Sequence, residues 1–160
     1  MNRRSLIVLF ATTAGGLLAG CTTTDLLSTN DGPSRDETAA SLDLINALRA
    51  SKGLASVSAN RSAQAAALHQ AKRMASAGKM SHLIGLSDSF SRRMNASGVP
   101  LPAAENIAVG QADAAAAFEA WRRSPKHLEN MLGNYRGLGV AVAQNPSSSN
   151  RPYWAMVLSG

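Results

Sequence analysis

The chain has 160 residues, of which 45% are hydrophobic and 16% charged, and its formal net charge at pH 7 is +6. This length accommodates one domain of ordinary size. The basic residues are too scattered to form a nucleic-acid-binding surface, so we expect no nucleic acid among the partners. A single cysteine excludes an internal disulfide.

The first residues have the pattern of an export signal. Arg3 and Arg4 form a basic start, and residues 5–19 are apolar or small. This apolar stretch is too short to span a bilayer comfortably, which favours a signal peptide over a transmembrane helix.

The sequence LAGC at positions 18–21 resembles the lipobox of bacterial lipoproteins. In those proteins the signal peptide is cut off before the cysteine, which is then acylated. We therefore expect a lipoprotein signal peptide over residues 1–20 and an acylated Cys21 that holds the mature chain on a membrane. The alternative is an ordinary signal peptide with a stray thiol. Thr22 favours sorting to the outer membrane, if the cell has one, and residues 21–35 have the composition of a flexible tether.

A first helix is expected after this tether. Residues 34–37 read SRDE, the pattern of a capping box at a helix start. Leu42, Ile45 and Leu48 follow at helical spacing, and Gly53 is expected to end the helix.

A second, alanine-rich helix is expected from Asn60, a helix-capping residue, to Gly78. Alanine on its buried face predicts close packing against a flat neighbour such as a sheet. A shorter helix is predicted within residues 87–97.

The last third of the chain predicts two further helices and a hairpin. Residues 106–109 fit either a strand or a buried turn, and Asp113 opens a helix that includes Trp121. The runs 137–144 and 152–159 are rich in β-forming residues and are joined by turn residues, which is typical of an antiparallel hairpin. Helices first and strands last indicate an α+β domain.

Another helix starts at Ser124 and Pro125, and His127 occupies the position where a capping box has Glu or Gln. Helical spacing places His127 beside the apolar residues Leu128 and Met131. The positive end of the helix dipole favours a neutral imidazole there. A neutral imidazole suits a metal ion or a hydrogen-bonded polar site.

Two further histidines and one acid are candidates for a site. His82 lies in an irregular stretch after the second helix, where a ring can face a cleft, whereas His69 lies mid-helix and fits a core or surface position. Glu105 precedes an apolar run, so its carboxylate is expected to be half buried and to need a partner. It either belongs to a polar site or pins its loop by accepting backbone N–H bonds.

Six stretches together resemble the CAP superfamily (cysteine-rich secretory proteins, antigen 5 and pathogenesis-related proteins), in its bacterial, disulfide-free SCP-like branch. They occur in family order and are distributed over nearly the whole range of residues 41–159: LINALRASKGLASVSAN, HQAKRMASAGKMSH, AENIAVG, AWRRSPKHLENML, GLGVAVA and PYWAMVLS. The resemblance implies a CAP domain over residues 36–160 that folds as a three-layer α-β-α sandwich with a small central antiparallel sheet.

The resemblance also implies a cleft that carries two histidines and two acids. By motif, the histidines are His82 and His127 and the first acid is Glu105. The place of the second acid holds Ser124, and Leu128 replaces the family's usual arginine. In some members the two histidines bind a divalent metal such as zinc, which makes His82 and His127 the expected metal ligands.

Three functions follow from this resemblance. The first is recognition of a lipid, glycan or peptide ligand in the bacterial cell envelope, with the membrane as partner through the acyl chains on Cys21. The second is metal-assisted hydrolysis of a peptide or cell-wall bond, with Glu105 as candidate base. The third is a scaffold in which the cleft residues only stabilise one another.

Overall fold

A computed structural model describes residues 32–160 of the chain. The predicted signal peptide, Cys21 and most of the predicted tether lie outside the described residues. Within the described range the strands are Ser34–Asp36 (β1), Ser58–Ala59 (β2), Ala103–Val109 (β3), Gly137–Ala143 (β4) and Tyr153–Ser159 (β5). The helices are Thr38–Ala50 (α1), Arg61–Ala77 (α2), Phe90–Ala96 (α3), Ala114–Arg123 (α4) and Pro125–Met131 (α5).

The strands form a single sheet in the order β1-β4-β5-β3. Its neighbours on this path are antiparallel, and the short β2 pairs in parallel with the start of β4. The predicted hairpin is confirmed, since Gly137 of β4 is paired with Ser159 of β5 and Ala143 with Tyr153. β3 therefore lies at one edge of the sheet.

Helices cover both faces of this sheet and define two separate cores. On one face α1, α4 and α5 bury Ile45, Trp121 and Met131 against the larger side chains of β4 and β5. On the other face α2 and α3 bury Met74 and Met94 against the small side chains of the same strands. The structure confirms the three-layer α-β-α sandwich with its small central antiparallel sheet.

The alanine-rich α2 lies directly on the sheet, as its composition predicts. Ala63, Ala67 and Ala71 are fully buried there. Side chains of alternate strand residues point to opposite faces, so Gly139 and Ala141 of β4 face α2. Small residues on both surfaces allow the backbones to approach closely.

Local signals placed the ends of several helices correctly. The Asn60 side chain accepts the backbone N–H of Ala63 at 3.0 Å, and Gly78 ends α2 with a positive φ of 62°. Asp113 caps α4 in the same way. Residues 106–109, for which a strand and a buried turn were both open, belong to β3.

The predicted capping box over residues 34–37 is wrong. Ser34–Asp36 form β1, and α1 begins at Thr38. The Asp36 carboxylate accepts hydrogen bonds from the backbone N and hydroxyl of Thr38, at 2.9 and 2.5 Å. The same hydroxyl accepts the backbone N–H of Val140 in β4, at 2.9 Å. Part of the predicted tether therefore belongs to the sheet.

None of the helices within residues 32–160 is both long enough and apolar enough to cross a membrane.

We expect Gly139→Ala to lower the free energy of unfolding by about 3 kcal/mol or more, because the new Cβ meets backbone atoms that cannot move independently. It would lie 2.2 Å from the carbonyl carbon of Ala63 in α2. Urea unfolding followed by circular dichroism measures the change.

The matched control is Gly53→Ala. Gly53 has a positive φ of 69° but nothing within 4 Å of an added Cβ, so its expected cost is only about 1 kcal/mol. Equal costs for the two variants would contradict the proposed close contact between α2 and β4.

Candidate functional site

The three residues implied by the family resemblance come from three different elements. His82 lies in the loop between α2 and α3, Glu105 on the edge strand β3, and His127 in the first turn of α5. The edge of β3 runs between the two helical layers of the sandwich. The cleft therefore opens along this strand, with His82 on one side and His127 on the other.

The Glu105 carboxylate is buried and fully engaged by neighbouring side chains. Its side chain is only 2% exposed. Arg93 donates two hydrogen bonds to it, one to each oxygen, at 2.8 and 2.9 Å. Nδ1 of His82 lies 2.9 Å from Oε1. Glu105 thus finds the partner that a buried carboxylate needs, and the partner is a side chain rather than backbone N–H groups.

Arg93 is the site residue that the sequence reasoning missed. Its side chain is 8% exposed, and its guanidinium carbon lies 5.7 Å from the centre of the Phe90 ring. Besides binding Glu105, it donates a hydrogen bond to the backbone carbonyl of His82 at 3.1 Å. The signal was present, because Phe90, Arg93 and Met94 share one face of α3 at helical spacing.

A second acid holds Arg93 and the loop in place. Asp88 lies 3.4 Å from Nε of Arg93 and 2.7 Å from Arg73 of α2, and it accepts the backbone N–H of Ile84 at 2.8 Å. Burial raises the pKa of Asp88, but the hydrogen bond from Arg73 and the nearby positive charges outweigh burial and leave the pKa below its ordinary value.

The loop that carries His82 is also bound to α2 directly. The amide of the fully buried Gln70 donates to the carbonyls of Ser81 and His82, at 2.8 and 3.3 Å. Arg73 donates a further hydrogen bond to the carbonyl of Ile84. The backbone near His82 is thereby fixed, while the ring itself is half exposed to solvent.

His127 is positioned through its backbone by a buried amide. Asn106, the residue after Glu105, is 0% exposed. Its Nδ2 donates to the carbonyl of His127 at 3.0 Å, and its oxygen accepts from Asn130 at 2.8 Å. Burial, followed by electrostatic repulsion from His82, lowers the pKa of His127. This shift favours the neutral form of the ring.

A buried arginine fixes the far end of α5. The Arg49 side chain of α1 donates hydrogen bonds to the carbonyls of Met131 and Gly133, both at 2.9 Å, and to that of Ala55 at 2.8 Å. The carbonyls of Met131 and Gly133 lie at the C-terminal end of α5, where a positive charge is favourable. α5 is thus held at both ends, which fixes where His127 enters the cleft.

Two cavities open along β3. One, of about 290 Å³, is lined by His82, Phe90, Glu105 and Tyr135 together with Ala103, Ala104 and Asn130. The other, of about 260 Å³, is lined by His127, Ser124, Trp121 and Met80 together with Ile107, Ala108, Val109, Gln111 and Ala120. Ser124, which occupies the place of the family's second acid, therefore faces the cleft. Its hydroxyl makes no capping hydrogen bond to α5.

His69 does not join this site. It lies exposed on α2 and lines a separate surface pocket of about 400 Å³, with Lys72, Arg73 and Ile84 among its neighbours. Burial and the positive charges of Arg73 and Arg93 lower its pKa, against a smaller opposing effect of Asp88. The structure places His69 on the surface of the helix and not in the core.

The residues available to a metal ion are few. Within residues 32–160 no group of three or more His, Cys, Asp or Glu side chains could hold one. Arg93 already occupies both Glu105 oxygens, which leaves the imidazoles of His82 and His127. Two imidazoles alone do not complete a closed structural zinc site, which takes four protein ligands, so a metal held by these two rings would keep open positions.

We expect Arg93→Met to lower the free energy of unfolding by about 3–5 kcal/mol, because it leaves the Glu105 carboxylate buried with its cationic partner removed. The double variant Arg93→Met/Glu105→Gln is expected to recover part of this loss. Urea unfolding at pH 7 gives the values for a double-mutant cycle.

The control is Arg92→Met, which removes the neighbouring but exposed arginine. Its expected effect is within about 0.5 kcal/mol. An Arg93→Met variant as stable as the Arg92→Met variant would show that the buried ion pair does not hold the site together.

Comparison with known proteins identifies the family of this chain and finds the same fold in solved structures. The family model described as "CAP: Cysteine-rich secretory protein family" matches residues 42–158. No curated protein matches the chain. Among solved structures, an extracellular SCP-domain protein of Bacillus anthracis is 23% identical, with a TM-score of 0.67. That match covers 77% of this chain and 40% of the Bacillus protein.

Two other solved structures share the fold. An outer surface protein of Borrelia burgdorferi is 16% identical with a TM-score of 0.68, over 80% of this chain and 97% of that one. A cysteine-rich secretory protein of Staphylococcus aureus is 16% identical with a TM-score of 0.59, over 77% of this chain and 38% of that one. This chain thus spans less than half of the Bacillus and Staphylococcus proteins. Because the family model matches most of its length, the chain belongs to the cysteine-rich secretory protein, or CAP, family.

Proposed function

We propose that this chain is a lipid-anchored protein of the bacterial cell envelope whose CAP cleft binds a ligand without hydrolysing it. The observation that carries this proposal is the pair of hydrogen bonds that Arg93 donates to Glu105. A general base must be free to accept a proton from water or substrate. Both Glu105 oxygens instead accept hydrogen bonds from Arg93, and the carboxylate is almost completely shielded from solvent.

The rest of the cleft has the composition of a recognition site. It offers the half-exposed ring of His82, the ring of His127 with its lowered pKa and the Ser124 hydroxyl as polar groups. Phe90 lines the cavity of His82, and Trp121 lines that of His127. A few placed polar groups in a mostly apolar cavity are typical of ligand sites. A lipid, a glycan or a peptide with an apolar part would satisfy both kinds of group.

The envelope location is supported by both the sequence and the relatives. LAGC at positions 18–21 is a lipobox-like sequence, and the structural neighbours are described as extracellular or outer surface proteins. From Cys21 to Gly32, where the described chain begins, an extended backbone spans at most about 40 Å. Acyl chains on Cys21 would therefore keep the start of the domain within that distance of the membrane.

A divalent metal such as zinc, if bound by His82 and His127, would polarise an oxygen of the ligand. One observation favours the second candidate function, metal-assisted hydrolysis. Nδ1 of His82 lies against Glu105, and a carboxylate in that position commonly orients a metal-ligating histidine through its other nitrogen. In this arrangement Glu105 supports the ligand and is not itself the base.

We expect zinc to bind the purified full chain in detergent and to bind at least tenfold more weakly to His82→Ala/His127→Ala, because these two imidazoles are the available donors. His69→Ala is the matched control and should bind like the wild type. Isothermal titration calorimetry of metal-stripped protein measures all three.

A hydrolysis assay distinguishes the proposed ligand binding from metal-assisted hydrolysis. Wild-type protein with zinc should release no labelled fragments from fluorescent casein or from labelled peptidoglycan. Release that disappears in His82→Ala/His127→Ala would contradict the proposed function and support the metal-assisted hydrolase.

Cys21→Ser should move the protein from the membrane fraction to the soluble fraction after cell lysis, because it removes the acylated atom. Ser28→Ala is the matched control and should stay with the membranes. Immunoblots of the separated fractions, together with labelling by an alkyne fatty acid, measure the change. Absence of the fatty-acid label from the wild-type protein would contradict the lipid anchor.

A further inference from the structure

We propose that the free edge of β3 binds an extended peptide, which adds to the sheet as a further strand. This proposal rests on the proposed function, since it names the ligand class of the same cleft. Four observations carry it: the hydrogen-bond register of β3, the unused backbone groups of its outer edge, the openings on either side and the position of the rest of the chain.

The register determines which backbone groups of β3 point outward. Gly110, directly after β3, donates its N–H to the carbonyl of Pro152 at 2.8 Å, so these two residues form a hydrogen-bonded pair. At the other end Gly160, directly after β5, donates to Pro100 at 3.2 Å. In an antiparallel ladder the pattern repeats every second residue.

It follows that residues 104, 106 and 108 of β3 bond to β5, while residues 103, 105, 107 and 109 point their N–H and C=O groups away from it. The neighbouring strand agrees with this assignment. The Ser159 carbonyl is paired with Ala103 in register but accepts the N–H of Arg136, on the β4 side of β5.

Most of these outward groups are not used within residues 32–160. The Glu105 carbonyl accepts a long hydrogen bond of 3.4 Å from the Asn130 amide. No described residue makes a hydrogen bond to the outward backbone groups of Ile107 and Val109. Such groups recur about every 6.8 Å along a strand, and a second extended backbone presents complementary donors and acceptors at the same spacing.

Both sides of this edge have room for side chains. The cavity with His82, Phe90 and Tyr135 adjoins the first half of β3, and the cavity with His127 and Trp121 adjoins the second half. Successive side chains of an added strand point to opposite faces of the sheet. One set would therefore face the α3 layer and the other the α4–α5 layer, with apolar surfaces and one histidine available in each cavity.

The described part of the chain begins at the opposite edge of the sheet. Pro33 accepts the N–H of Gln144 beside the end of β4, so the first described residues lie at the β1 edge. β5 and β4 lie between that edge and β3. The occupant that fits is a separate peptide with apolar side chains at alternating positions and no proline.

The test starts with a random dodecapeptide library displayed on phage and selected against the purified full chain in detergent. The best peptide is synthesised unmodified and in two versions, N-methylated either at its odd or at its even residues. Strand pairing predicts that one N-methylated version binds at least tenfold more weakly and that the other binds within about threefold of the unmodified peptide. In only one of the two N-methylated versions are the removed N–H donors those that point toward β3.

A pair of variants tests the protein side. Val109→Pro removes one outward N–H and is compatible with an edge strand, since the missing donor does not pair with β5. We expect it to weaken peptide binding at least tenfold, and Val109→Ala, which keeps the N–H, to weaken it by at most about threefold. If Val109→Pro does not fold, hydrogen exchange in the wild type replaces it. The peptide should then slow exchange of the 105, 107 and 109 amides.

Equal binding of both N-methylated peptides overturns the strand pairing and leaves the cleft as a binding site. Failure to select any peptide that binds better than its scrambled control also overturns it, whatever zinc and turnover show. Protection of the 105, 107 and 109 amides without any peptide overturns the proposal too. Concentration-dependent protection would then assign the edge to a second copy of the chain, and concentration-independent protection to residues 22–31.

Discussion

The buried carboxylate of Glu105 is the constraint on which the arrangement of the cleft depends. A negative charge at this depth requires a cation, and Arg93 supplies it through two parallel hydrogen bonds. Arg93 in turn depends on Asp88, and Asp88 on Arg73 of α2. This chain of alternating charges joins the edge strand to the helical layer behind it. It also fixes the loop on which His82 stands.

The same interaction limits the chemistry of the site. A carboxylate that is bound on both oxygens and shielded from water serves to hold its neighbours in place. What remains accessible is a pair of imidazoles, one half exposed and the other with a lowered pKa, beside apolar residues. These groups are consistent with the proposed binding of a ligand beside the outer edge of β3.

Features whose signals are local were predicted well. Asn60 and Gly78 delimit α2 through contacts with residues at most four positions away, and the runs that form β4 and β5 are adjacent in sequence, joined by residues 144–152. β1 was missed for the opposite reason. Ser34–Asp36 look like a helix start when only the following residues are considered, but they pair with a strand more than a hundred residues further along. Arg93 was missed because it is adjacent to Arg92, and two consecutive arginines are usually both exposed to solvent. Only its contact with Glu105 shows that Arg93 is buried.

The sequence by itself determined the family, the α+β composition, most helix ends and the three residues of the expected cleft, because repeating patterns and short motifs carry this information. Only the tertiary structure decided how these residues are used. It showed that Arg93 binds Glu105, that Ser124 lines the cleft and that His69 lies on a separate surface. It also showed that no described strand pairs with the outer edge of β3. Each of these outcomes depends on burial and on partners distant in sequence, and a buried charge or an unpaired strand edge exists only once the chain has folded.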